Sequence, residues 1–185
     1  MSKDEAAVAI KKFKTRVEAE SGKKLRVLRT DRGGEFTSVE FATYCADQGV
    51  GQHHTAPYSP QQNGVVERQN QTVVGMARSM MKAKGMPAKF WGEAVTMAVF
   101  ILNRAPTKAL TGKTTFEACN GRKPSVSFLR TFGCISHVRN TKSVLTKLED
   151  RSTSMVLLGY AEGTKAYQIY NPRGGKVRTG FVFLT

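Results

Sequence analysis

The sequence predicts an α/β fold followed by a small antiparallel β-rich module. Three patterns carry that reading. Helical and strand periodicities alternate over residues 4–103, the first strand ends at an acidic residue and a tight glycine turn, and residues 155–184 read as short strands broken by glycine-containing turns. A chain of 185 residues with 40% hydrophobic and 9% aromatic content suffices for one ordinary domain and a small appendage.

Over residues 4–21, Ala7, Ile10, Phe13 or Lys14, and Val17 recur at helical spacing, and Ser21-Gly22 supplies a stop. Residues 24–30 (KLRVLRT) hold Leu25, Val27 and Leu28 in a short run, which predicts a mostly buried strand ending at Asp31 and Gly33-Gly34. Thr37 and Glu40 then read as a capping box, with Phe41, Tyr44 and Cys45 as a core stripe and Gly49 as the stop. A second strand is expected over 49–55. The prolines and glycine of 57–64 preclude regular structure. From Val65 to Ala83 a helix is expected, with Val66, Val73, Ala77 and Met80 inward and Glu67, Asn70, Gln71, Val74 and Arg78 on a different face. The next helix, 88–103, buries Trp91, Val95, Ala98 and Leu102 in this reading, with Phe90 also in the core, and Pro106 closes it. Alternating β and α elements imply parallel pairing. After Pro106 the texture is loop-rich. From Met155 the strands MVLLGY, AYQIY and KVRTGFVFL form an antiparallel module, with Tyr160, Tyr167, Tyr170 and Phe181 better placed to pack than to stack on bases.

Composition narrows the function classes. Lys and Arg number 29 against 14 Asp and Glu, a net charge of +15, and residues 122–185 hold 11 basic against 3 acidic residues. Such an excess points to a polyanionic partner and says nothing about fold. No apolar stretch approaches the roughly 20 residues of a membrane span, and the first twenty residues are charged, so neither a membrane role nor export is expected. Cys45, Cys119 and Cys134 are odd in number and widely spaced, which predicts reduced, mostly buried intracellular thiols. His53, His54 and His137 have no paired cysteines and read as loop or surface residues.

Two carboxylates stand out. Asp31 sits just beyond a strand, where α/β sheets present ligands and catalytic groups, and Glu67 opens a helix after the proline-rich loop, with 35 residues between them. Carboxylates brought together from such positions suit Mg²⁺ or Mn²⁺. In two-metal sites the ions stand ~3.5–4 Å apart and stabilise the oxygens of a phosphodiester displacement. Each acid also has an ordinary explanation, as a turn residue and as a partner of the helix dipole.

The surrounding residues add to this. VLRTDRGGEF (27–36), HHTAPYSPQQNGVVERQN (53–70), KFWGEAV (89–95), ILNRAPTKAL (101–110), TTFEACNGRKPSVSFLRTFGC (114–134) and KLEDRSTSMVLLGYAEGTKAYQIYNP (147–172) occur in order. Together they resemble the copia-type retrotransposon integrases, members of the retroviral integrase superfamily, over nearly the whole chain. The resemblance implies a ribonuclease-H-like core in which Asp31 and Glu67 correspond to the second and third carboxylates of a catalytic set that binds Mg²⁺ or Mn²⁺. It implies a loop that aims Glu67, and Asn63 facing DNA. It also implies residues 1–108 as the C-terminal part of the catalytic core, 109–146 as a connector and 147–185 as the β-rich region. Arg68, Gln71, Arg78, Lys82 and Lys84, on or just after the long helix, become candidate nucleic-acid contacts, beside Arg151, Lys165, Arg173, Lys176 and Arg178 of the β module. For each base a solvated surface role is the plain alternative. DNA is the implied partner, with a second copy or other Pol-derived chains. No small-molecule substrate is implied, and nuclear residence follows from the family alone, since Lys11-Lys12 and Lys23-Lys24 are weak as import signals.

The family's first aspartate and first three strands would precede the opening helix, and Asp4 reads as a cap rather than their replacement. The chain is therefore expected to be an N-terminally truncated Pol fragment, inactive alone, with an open sheet edge and poor solubility or a molten core. The rivals are a site completed by a partner chain in trans, and a non-catalytic nucleic-acid-binding relic or host-adopted protein.

Overall fold

The computed structural model describes residues 3–31, 33–55, 64–140, 146–161 and 163–180. They fall into two compact units, Met1–Asn70 and Gln71–Thr185.

The first unit places helix α1 (Lys3–Ser21), strand β1 (Val27–Thr30), helix α2 (Val39–Asp47) and strand β2 (Gly51–His54) in order. β1 and β2 pair in parallel, Val27 opposite Gly51 through Thr30 opposite His54. Such pairing requires a crossover, and α2 provides it. Phe41, Cys45 and Val50 form the core, with Ala7, Ile10, Leu25, Leu28, Phe36 and Tyr44 packed against them. β1 is shorter than expected because Glu18 Oε1 accepts the N–H of Leu25 at 2.7 Å. Pairing with β2 starts at Arg26, whose carbonyl accepts from Gly51 at 2.8 Å. The cap of α2 also differs. Ser38, not Thr37, accepts the Phe41 N–H, while Thr37 Oγ1 donates to the Gly33 carbonyl and Glu40 reaches Lys11 Nζ at 3.2 Å. Lys14 is buried in place of the alternative Phe13, which is 67% exposed. The Lys14 ammonium is matched by Glu18 at 2.9 Å and Gln48 Oε1 at 3.1 Å.

Helix α3 spans Gly64–Ala83. The second unit continues through a 3-10 turn (Ala88–Phe90), α4 (Trp91–Leu102), the capped helix α5 (Thr115–Asn120), and strands β3 (Ile135–Arg139), β4 (Ser152–Tyr160), β5 (Tyr167–Asn171) and β6 (Lys176–Gly180). These four strands form one antiparallel sheet in sequence order. Its first strand, β3, falls in the stretch that reads as loop-rich from the sequence. One core joins Ala77 and Met81 of α3 to Phe90, Ala94, Met97, Ala98, Phe132 and Leu158. A second holds Met155, Leu157 and Ile169.

Several expected core residues lie elsewhere. Trp91, first in α4, is 39% exposed, because α4 buries Ala94, Met97 and Ala98 instead. Val66 is 51% exposed, since α3 buries nothing before Ala77. Of the cysteines only Cys45 is buried, and Cys119 is exposed. His53 and His54 lie on β2, and His137 is half-buried on β3 rather than in a loop. Tyr160, Tyr167 and Tyr170 are partly buried and pack with neighbouring aromatics. Phe181 and the loop 56–63, with Asn63, lie outside the described residues.

Candidate active site and basic face

Asp31 follows directly on β1 and is exposed. Its orientation comes from the turn after it. Oδ1 accepts the backbone N–H of Gly33 at 3.0 Å, and the Gly33 carbonyl accepts in turn from the Phe36 N–H at 2.9 Å. The Glu35 carboxylate lies over Gly33, 2.9 Å from where a Cβ would stand, so a larger residue there must displace it. The sequence signal for this was the Gly33-Gly34 pair. It marked a turn, but not the hydrogen bond that fixes Asp31.

Glu67 occupies the first turn of α3 and is exposed, where a carboxylate complements the helix dipole. It falls in the same unit as Asp31. Arg68 is exposed and its guanidinium lies over Gly64, one turn back, 3.6 Å from that residue's Cβ position. Among the described residues, no three His, Cys, Asp or Glu side chains are grouped so as to hold a metal ion.

Gln71, Arg78 and Lys82 are exposed on α3, at helical intervals from Glu67 that put all four along one stripe. Lys84 is exposed just beyond the helix end. Arg78, Lys82 and Lys84 are cations on or just after one helix, with the Gln71 amide beside them, a form suited to phosphate contacts. Other basic residues serve the fold. Arg104 stacks over Phe100 at 3.4 Å and Phe116 at 4.9 Å, and burial lowers its pKa from the ordinary value. Lys89 Nζ donates to the Tyr170 hydroxyl at 3.0 Å and lies 4.6 Å from that ring.

A family model described as "Retroviral polymerase SH3-like domain" matches residues 134–180, the span of β3–β6. The chain is 39% identical over 95% of its length to "Retrovirus-related Pol polyprotein from transposon TNT 1-94" of Nicotiana tabacum. It is 29% identical over 90% of its length to the transposon RE2 polyprotein of Arabidopsis thaliana. It spans 13% and 11% of those relatives. Among solved structures, a chain of the simian T-cell lymphotropic virus intasome in complex with PP2A regulatory subunit B56 gamma aligns with 97% of this chain and 62% of its own length, at a TM-score of 0.52 and 18% identity. The intasome likeness speaks for the fold, and the identity to the polyproteins for descent. Over nearly its whole length the chain corresponds to one segment of the retrovirus-related Pol polyproteins of transposons.

Proposed function

We propose that this segment binds DNA and contributes two carboxylates, Asp31 and Glu67, to an integrase site for metal-dependent phosphoryl transfer. The observation that supports this is their placement: Asp31 at the C-terminal end of β1, held by Gly33, and Glu67 in the first turn of α3.

The donor chemistry fits a hard divalent ion. Both groups are exposed carboxylates, and the turn engages Oδ1 of Asp31, so a second oxygen of the same group is suited to a ligand. Mg²⁺ or Mn²⁺ bound there would supply charge stabilisation to the phosphodiester oxygens. Gly33 fixes Asp31, α3 fixes Glu67, and Arg68, Gln71, Arg78, Lys82 and Lys84 hold the DNA backbone. Among the described residues no third acid joins these two in a metal-holding group; two carboxylates bind such an ion weakly, and a catalytic set that acts as a unit depends on all its members. The chain alone is therefore inactive in this reading. Another Pol-derived chain completes the site, a second copy is a further partner, and nuclear residence goes with the DNA partner.

The test combines duplex binding, Mn²⁺ binding by electron paramagnetic resonance, and strand transfer. Salt-dependent duplex binding is expected, with weak Mn²⁺ binding that Asp31→Asn removes, and no strand transfer until an upstream Pol segment is added. Strong strand transfer by the purified chain, lost in Asp31→Asn, would overturn the inactivity. A chain that ignores duplex DNA overturns the reading as a whole. The net charge of +15 also favours a non-catalytic nucleic-acid-binding protein, which would bind duplex equally in the parent and in Asp31→Asn and take up no Mn²⁺.

A further inference from the structure

At the other end of β1 from Asp31 lies a cavity of about 650 Å³ lined by Lys23, Lys24, Leu25, Arg26, Gln48 and Gly49. Among the described residues no acidic one lines it, and the stretch from Ser21 to Thr30 carries four basic residues and no acidic one. Lys23, Lys24 and Arg26 are exposed, while Leu25 between them packs against the Phe41 cluster. The backbone that presents them is fixed at two points. Glu18 holds the Leu25 N–H at 2.7 Å, and the Arg26 carbonyl accepts from Gly51.

The charges around this cavity decide what it would take. Glu18 of α1 reaches the lining through the Leu25 N–H, and its carboxylate is also engaged by Lys14 at 2.9 Å. Gln48 is likewise committed to Lys14 through Oε1. Lys14 therefore offsets Glu18, and the cations of Lys23, Lys24 and Arg26 remain in excess. Three cations on an anchored loop, beside an open concavity, suit an oxyanion with several acceptor atoms. A phosphate group with its attached sugar matches both the charge and the space.

We infer that the cavity bounded by Lys23, Lys24 and Arg26 is a phosphate site that holds the backbone of DNA at a distance from the Asp31 turn. The source of the phosphate rests on the proposed function, since DNA is the partner proposed there. The pocket itself does not depend on Asp31 or Glu67. It would give the chain a second grip on the duplex, indifferent to base sequence, because contacts to phosphate position a duplex without reading it.

Two measurements on the full chain test this. In the first, inorganic phosphate is titrated while backbone amide resonances are followed, and saturable shifts are expected at Lys24, Leu25, Arg26 and Gly49. The triple variant Lys23→Ala/Lys24→Ala/Arg26→Ala should lose them while keeping its remaining spectrum. In the second, the salt dependence of binding to a labelled duplex is compared between parent and variant. For two phosphate contacts the slope of log K against log salt should fall in magnitude by about 1.8. If the parent binds no duplex at any salt, the functional reading fails, and the phosphate titration still reads the pocket. The pocket assignment is overturned if phosphate leaves those amides unmoved. Shifts with inorganic phosphate at a salt slope that parent and variant share overturn the assignment to DNA.

Discussion

Gly33 donates its backbone N–H to Asp31 Oδ1 at 3.0 Å, while the carboxylate of Glu35 fills the space that a side chain at position 33 would need. Gly33→Ala should therefore act through Glu35. The clashing atoms are the far end of a flexible side chain, so the loss of stability is expected to stay near ~1 kcal/mol. Glu35→Ala in the same chain should restore most of it. Urea denaturation of both singles and the double gives the coupling, and additive losses would show that the contact does not matter.

Ser136 is fully buried on β3, and among the described residues its hydroxyl has no hydrogen-bond partner. Burying an unpaired hydroxyl costs stability, about 1–3 kcal/mol by mutational measures. Ser136→Ala should leave the urea midpoint unchanged or raise it. A loss above ~1 kcal/mol would mean that the hydroxyl is satisfied after all.

Glu18 should make stability depend on acid. The hydrogen bond from Lys14, and then that from the Leu25 N–H, hold its carboxyl below the ordinary value. The unfolded chain thus takes up this proton at higher pH than the folded one. The pairing contributes fully above the unfolded pKa and is lost as pH falls through the depressed folded value. Between neutral and acid pH the parent's urea midpoint should drop more than that of Glu18→Gln, and parallel curves would remove Glu18 as the cause.

Gly133 has a φ of +74°, and a Cβ there would stand 2.9 Å from Lys84 Cβ and 3.0 Å from Met86 Sδ. Unlike the Glu35 contact, this one involves an atom next to the backbone, which has no room to yield. Gly133→Ala is expected to cost about 2 kcal/mol or more, combining left-handed strain with overpacking. Thermal unfolding checks this, and a shift within the scatter of surface substitutions would refute it.

Arg78→Ala with Lys82→Ala should weaken duplex binding without regard to sequence and lower the salt slope by about 1 for each phosphate that the variant no longer neutralises. An unchanged slope would return both residues to the solvated surface.

Some of this was legible in the sequence and some was not, for identifiable reasons. The end of β1 at Asp31 and the helix carrying Glu67 showed plainly, since Gly33-Gly34 and the period of Val73, Ala77 and Met80 are local signals. β3 did not. It turns Ser136 inward, fully buried, and Ile135 outward at 69% exposure, inverting the alternation by which a strand is recognised. Trp91 looked like core because size and period agreed, but the helix's first residue sits at the rim of the contact made by Ala94, Met97 and Ala98. The cap of α2 fell one residue later than the capping-box pattern suggests because Thr37 and Ser38 both carry hydroxyls, and only backbone geometry chooses between them. The basic residues gave a total charge but not its division. Lys14 and Arg104 are absorbed by the fold, whereas Arg78 and Lys82 face solvent.

Leu157 and Leu158 are adjacent and both wholly buried, yet they belong to different clusters, Leu157 to that of Met155 and Ile169 and Leu158 to that of Phe90 and Phe132. One peptide unit is thus the seam between two apolar interiors, and neither can be wetted without disturbing the other. The amides of mid-β4 should be the last in their unit to exchange with deuterium, and a polar residue at either leucine should melt both clusters in a single step.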